Sequence, residues 1–168
     1  ERREFLKLVG ATTVCSLTHT ASAAPVGRVA VVLDPENPHA SSGPVQWAAG
    51  QVKGALAARS VPCEIVHSPE QAAGASFCIA VAGADSRLAQ GFQRGGELTG
   101  RESLRLTPGR VGSVPAVHVA AADPRGFVYG LLELAERTQL DSDPVSAMQV
   151  RAAVEQRSLN QVRCVSRY

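Results

Sequence analysis

Aromatic residues are scarce in this chain: they make up 4% of its 168 residues, with a single Trp and two Tyr. No basic stretch is interleaved with Phe or Tyr, as a groove that stacks single-stranded bases requires. Acids and bases alternate along the chain at a formal net charge of +2, so no nucleic-acid partner is expected. The common signatures of catalysis are missing as well. There is no G-x-S-x-G elbow, no phosphate loop, no G-x-G-x-x-G behind a strand and no H-E-x-x-H. His39, His67 and His118 stand apart from one another and from the cysteines, which leaves no metal-ligand spacing, so neither a metal nor another cofactor is expected. No carboxylate pair is singled out for work on a glycosidic bond; Glu133 and Glu136 suit the solvated side of a helix. Apolar runs fall short of the roughly 20 residues that span a bilayer, so no stable membrane anchor is expected.

What is present begins at the N-terminus. Arg2-Arg3-Glu4-Phe5-Leu6-Lys7 precedes a mostly apolar run at 8–17 and a small-residue stretch ending Ala21-Ser22-Ala23-Ala24. This pattern resembles a bacterial twin-arginine export signal. An ordinary first helix is the poorer reading, since Gly10 and the run Thr12-Thr13-Val14 weaken helix formation. The resemblance implies a signal peptide over 1–23, recognition of Arg2 and Arg3 by the twin-arginine export machinery, and a periplasmic or secreted protein that crosses the membrane folded. Glu1 stands where such signals carry Ser or Thr, and no Met opens the chain, so the true start is expected upstream.

Residues 1–23 hold three basic and two acidic groups, which leaves the remainder near +1 and long enough for one domain with a real core. Cys15 falls in the signal. Cys63, Cys78 and Cys164 remain, an odd number; Cys63 and Cys78 lie in apolar runs where thiols behave as small buried hydrophobes. A bridge between those two stays open at this point, although a domain that folds before export forms without oxidation.

Residues 28–33 (RVAVVL) read as a first core strand ended by Asp34-Pro35. A polar loop to Gly43 leads into a helix over 44–59, with Pro44 in its first turn and Val45, Ala48, Ala49, Val52 and Leu56 at helical spacing. Strands follow at 63–67 and 77–82, with a turn or helical piece at 69–74 between them and a short helix at 86–92 behind. Residues 102–106 and 115–121 form a hairpin around a turn at Pro108-Gly109, and His67 and His118 sit in strands as hydrogen-bonded structural histidines. A second helix starts behind Asp123 and Pro124 with Phe127, Leu131, Leu134, Ala135 and Thr138 on one face. The stretch 141–148 reads as a linker, and 150–168 shows no core pattern. The fold class is α+β, an α/β sandwich whose mixed sheet of about five strands carries helices mainly on one face.

One motif stands out: Asp123-Pro124-Arg125-Gly126-Phe127-Val128-Tyr129-Gly130-Leu131-Leu132-Glu133-Leu134. Its physical sense is legible directly. Asp123 caps the helix, Gly126 and Gly130 let it approach the sheet closely, and Phe127 and Tyr129 add bulk. The motif resembles D-x-R-G-x-x-Y-G-L-x-x-L in the non-catalytic N-terminal domain of β-N-acetylhexosaminidases (glycoside hydrolase family 20) and α-glucuronidases (family 67). Residues 157–163 (RSLNQVR) resemble the first strand of the catalytic (β/α)8 barrel that follows this domain in those enzymes. The resemblance implies an accessory domain over 24–141, then a linker and a truncated barrel start over 142–168. It implies no catalytic residue in this chain, a substrate role for Arg157 alone, and a barrel partner through which carbohydrate is met indirectly. The competing class is a stand-alone periplasmic module for a small ligand or carbohydrate, held at the loop from Asp34 to Gly43.

Overall fold

The computed structural model describes residues 27–93 and 95–157. The signal-like segment with Arg2 and Arg3, Cys15, Cys164 and the motif residues after Arg157 lie outside the described residues. Eleven elements follow in order: β1 (Val29–Leu33), α1 (Gly43–Ala58), β2 (Cys63–Val66), a 3-10 turn (Pro69–Ala72), β3 (Phe77–Val81), a second 3-10 turn (Arg87–Gly91), β4 (Leu104–Val111), β5 (Val114–Ala121), α2 (Pro124–Leu140), α3 (Pro144–Ala147) and β6 (Val154–Gln156).

The strands form one mixed sheet in the order β2-β1-β3-β5-β4-β6. β1 is parallel to β2 and β3, β3 is parallel to β5, and β4 runs antiparallel to both of its neighbours. β1 and β3 are buried along their whole length, which is why VAVVL and FCIAV are apolar on both sides instead of alternating.

Both long helices cover one face. Val45, Ala48, Ala49, Val52 and Leu56 of α1 and Phe127, Leu131, Leu134 and Ala135 of α2 meet Val29, Val31, Leu33, Val117 and Val119 in the main core. Glycine sets how closely α2 can lie. A Cβ on Gly126 would come 2.6 Å from the Ser103 carbonyl oxygen, and one on Gly130 would come 2.7 Å from Val119 Cγ1. The opposite face carries smaller residues, Ala30, Val32, Cys78, Ala80 and Ala116, under the two 3-10 turns and the loop between β3 and β4.

Three expectations change. The hairpin turns at Gly112 (φ +58°) and Ser113, not at Pro108-Gly109, which lie inside β4. β6 covers only Leu104–Leu106 of β4, and beyond it the outer side is met by a single bridge from Phe92 to Gly109, so Pro108 lies outside any continuous outer ladder, where a missing N–H is tolerated. Residues 142–148 are more than a linker: Asp143 caps α3 and Met148 is fully buried. The sheet of about five strands gains a sixth, β6, held by Arg105, whose Nε and Nη2 donate to Glu155 Oε2 at 3.2 and 2.7 Å.

Cys63 and Cys78 are free and buried. They lie on strands flanking β1 and belong to the cores on opposite faces, so no bridge joins them. Burial pushes the Cys63 thiol up to about 11 and the Cys78 thiol up to about 12, which makes both inert.

Candidate functional site

α1 and α2 each follow a parallel strand, so they run the same way and bring their N-termini together at the carboxyl edge of the sheet. Arg59 joins the other ends, donating from Nη1 to the Thr138 carbonyl at 3.0 Å and from Nη2 to the Ser142 carbonyl at 3.1 Å. Between the N-terminal turns opens a groove of about 710 Å3. Pro44 and Trp47 of α1 form one wall, and Pro124, Val128 and Tyr129 of α2 form the other. Arg101, Glu102, Asp123 and Arg125 line its end.

Trp47 falls off the buried stripe of α1 and is 56% exposed, while Tyr129 is 37% exposed. An indole left in water on a rigid helix is costly, and such rings are enriched where proteins meet partners. The α2 motif therefore divides its labour. Gly126, Phe127, Gly130, Leu131 and Leu134 face inward and are buried, whereas Arg125 and Tyr129 face the groove. Tyr129 thus adds to the surface, not to the core as Phe127 does.

Asp123 organises the end of the groove. Its Oδ1 accepts the Gly126 N–H and its Oδ2 the Glu102 N–H, both at 2.9 Å. The second bond holds Glu102 at φ +60°, an uncommon conformation for a side chain of this kind. Arg125 Nη1 then donates to Glu102 Oε1 at 3.2 Å. Burial raises the Asp123 carboxyl, but the N–H groups of Gly126, Glu102 and Arg125 and the Arg125 charge outweigh it and hold the carboxyl below its ordinary value. A carboxylate committed in this way caps α2 and positions Glu102.

Polar residues also gather beneath the loop-covered face. His118, 4% exposed, places Nε2 3.0 Å from the Ala82 carbonyl oxygen and packs on Phe92, with ring centroids 5.0 Å apart. Arg105 and Thr107 lie beside it around a cavity of about 50 Å3, too small for an organic ligand. His118 is thus the structural histidine expected, whereas His67 lies just past β2 and is exposed. His39 is exposed and lines none of these cavities. Arg157 is exposed beyond β6, apart from the groove. Among the described residues no group of three or more His, Cys, Asp or Glu could hold a metal, and no helix is long and apolar enough to cross a membrane.

Sequence reasoning found Asp123, Arg125 and Tyr129 through the motif but passed over Trp47 and Arg101. The signal was available: the one Trp of the chain sits in a helix at a position the apolar spacing leaves outside.

No family model matches the chain, and no curated protein matches it. Among solved structures it is similar to part of a GH138 enzyme targeting pectin rhamnogalacturonan II, at 14% identity and a TM-score of 0.50. The likeness covers 76% of this chain and 15% of that one. At this identity it shows the fold: a mixed α/β arrangement that also occurs as one segment of a much longer glycoside hydrolase.

Proposed function

We propose that this chain is a non-catalytic accessory domain of an exported glycoside hydrolase, and that its helical face docks on the catalytic unit. The observation that carries this reading is the groove between α1 and α2, where Trp47 and Tyr129 stand exposed on rigid helical turns. Exposed apolar surface of this kind is stabilised when a partner covers it. The fold likeness to a 15% segment of a longer glycoside hydrolase supports the same reading. So does the α2 motif, whose resemblance to family 20 and family 67 enzymes makes the partner a (β/α)8 barrel. In that account the domain runs through β6, and Arg157 opens the barrel and reaches sugar hydroxyls there. Export in a folded state through the twin-arginine route follows from Arg2 and Arg3.

Reading the gene past the codon for Tyr168 tests the proposal. An open frame that encodes a catalytic unit with a pair of carboxylates is the expected result. A stop codon followed by an unrelated gene overturns it and favours the second reading, a stand-alone periplasmic binding module, for which the cavity described next speaks.

A further inference from the structure

The carboxyl edge of the sheet holds another cavity, where β1 and β2 end, on the face away from the helices. It encloses about 180 Å3 over an apolar floor that includes Val32 and Leu88. Around that floor stand Asp34, Glu36, His67, Glu70 and Arg87.

Asp34 differs from the others in being only 7% exposed. Its Oδ1 accepts the Glu36 N–H at 3.0 Å, closing an Asx turn at the end of β1. No described group bonds Oδ2. No buried side-chain oxygen among the described residues lacks a partner, so Oδ2 is not sealed in, and Asp34 lines the cavity. A carboxylate withdrawn this far from water, with one backbone N–H as partner, retains acceptor capacity that a donor-bearing ligand satisfies.

The surrounding charges fix the sign of that ligand. The Glu70 carboxyl is lowered first by its own backbone N–H, then by the Ser68 hydroxyl and the charge of Arg87, so it remains ionised. Three carboxylates thus stand against one guanidinium, and the guanidinium acts on Glu70. The location is also where open α/β sheets collect ligands. The chain leaves β1 through α1 on one face and passes from β2 to β3 by a 3-10 turn on the other, so the crossovers diverge at the carboxyl end of β1.

We propose that this cleft binds a small hydroxylated ammonium compound, of monosaccharide size or below. The ammonium donates to Asp34 Oδ2, hydroxyls meet Glu36 and His67, and the carbon skeleton lies over Val32 and Leu88. The site is on the opposite face from the docking groove and stands whether or not a catalytic unit follows.

Titrating the 15N-labelled 168-residue chain at pH 7 with Tris, a hydroxylated ammonium probe, tests the site. Saturable shifts are expected at the amides of residues 34–37, 67–70 and 87–88. Glycerol, which lacks the charge, and ammonium chloride, which lacks the hydroxyls, should each bind about tenfold more weakly, the scale of one charge-assisted hydrogen bond. Asp34→Asn keeps the Asx-turn acceptor and removes the charge, so it should weaken Tris by about tenfold or more. Glu36→Gln, at an exposed position, should weaken it less while leaving the rest of the spectrum unchanged. Absence of saturable shifts at these amides, equal affinity for glycerol, or undiminished binding by a folded Asp34→Asn protein overturns the proposal. Shifts centred on Trp47 and Tyr129 overturn it too, by moving the ligand to the helical groove.

Discussion

The two faces of the sheet are covered by different chemistry. On the helical face Leu104, Leu106, Val117 and Val119 meet Phe127, Leu131 and Leu134 in one apolar cluster, and two glycines set the distance. On the other face the same two strands present Arg105, Thr107 and His118 to irregular loops, and the contacts are hydrogen bonds to loop backbone: Arg105 Nη1 to the Gly96 carbonyl at 2.8 Å, and His118 Nε2 with the Ala82 carbonyl. A regular cover needs only shape and dispersion, whereas an irregular one exposes backbone groups that side chains must satisfy. The rigid helical cover also leaves Trp47 and Tyr129 on its outside, where they line the groove proposed above as the docking surface.

Breaking the helical face should cost most. Phe127 is fully buried between α2 and the sheet, so Phe127→Ala should lose about 3–5 kcal/mol, read as a fall in urea midpoint at unchanged slope. On the loop-covered face Glu155→Leu should cost less, about 1.5–3 kcal/mol. It strips the charge partner from a guanidinium whose side chain is 8% exposed, while the Gly96 bond survives. The smallest and most diagnostic effect is one of pH. Burial first, and then the Arg105 charge, hold His118 below its ordinary value against the opposing bond to the Ala82 carbonyl. A base with a lowered folded pKa contributes stability that is complete above the unfolded value, about 6.5, and is lost as pH falls from there through the folded pKa. Thermal midpoints should therefore decline below about pH 6.5, and His118→Phe should remove that part of the decline.

The same contrast explains what could be read from sequence. α1 and α2 announce themselves through spacing, Pro in the first turn and, for α2, Asp123, because a helix buries a stripe that recurs every three or four residues. β1, β3 and β5 are apolar runs for a similar reason. β6 carries no such signal: Val154-Glu155-Gln156 is half-buried to exposed, and a cross-strand ion pair with a residue 50 positions earlier places it. Pro108 suggested a turn because its tolerance depends on how little of β4 the outer strand covers, a tertiary fact. α3 did leave a local mark, Asp143 followed by Pro144, in a stretch whose polarity resembled a linker. In the groove, the motif pointed to the α2 wall, but the α1 wall rests on Pro44 and Trp47, and Trp47 is visible only as a departure from the buried pattern.

Hydroxyl-radical footprinting of Trp47 and Tyr129, read by peptide mass spectrometry, tests the docking account most directly. It compares the 168-residue chain with the longer protein encoded by a frame open past Tyr168, the outcome the proposal expects. The account predicts ready oxidation of both side chains in the shorter chain and strong protection of both in the longer protein, with other exposed residues of the domain unchanged. Equal oxidation of Trp47 and Tyr129 in the two proteins would show that no catalytic unit covers the groove and would contradict the account.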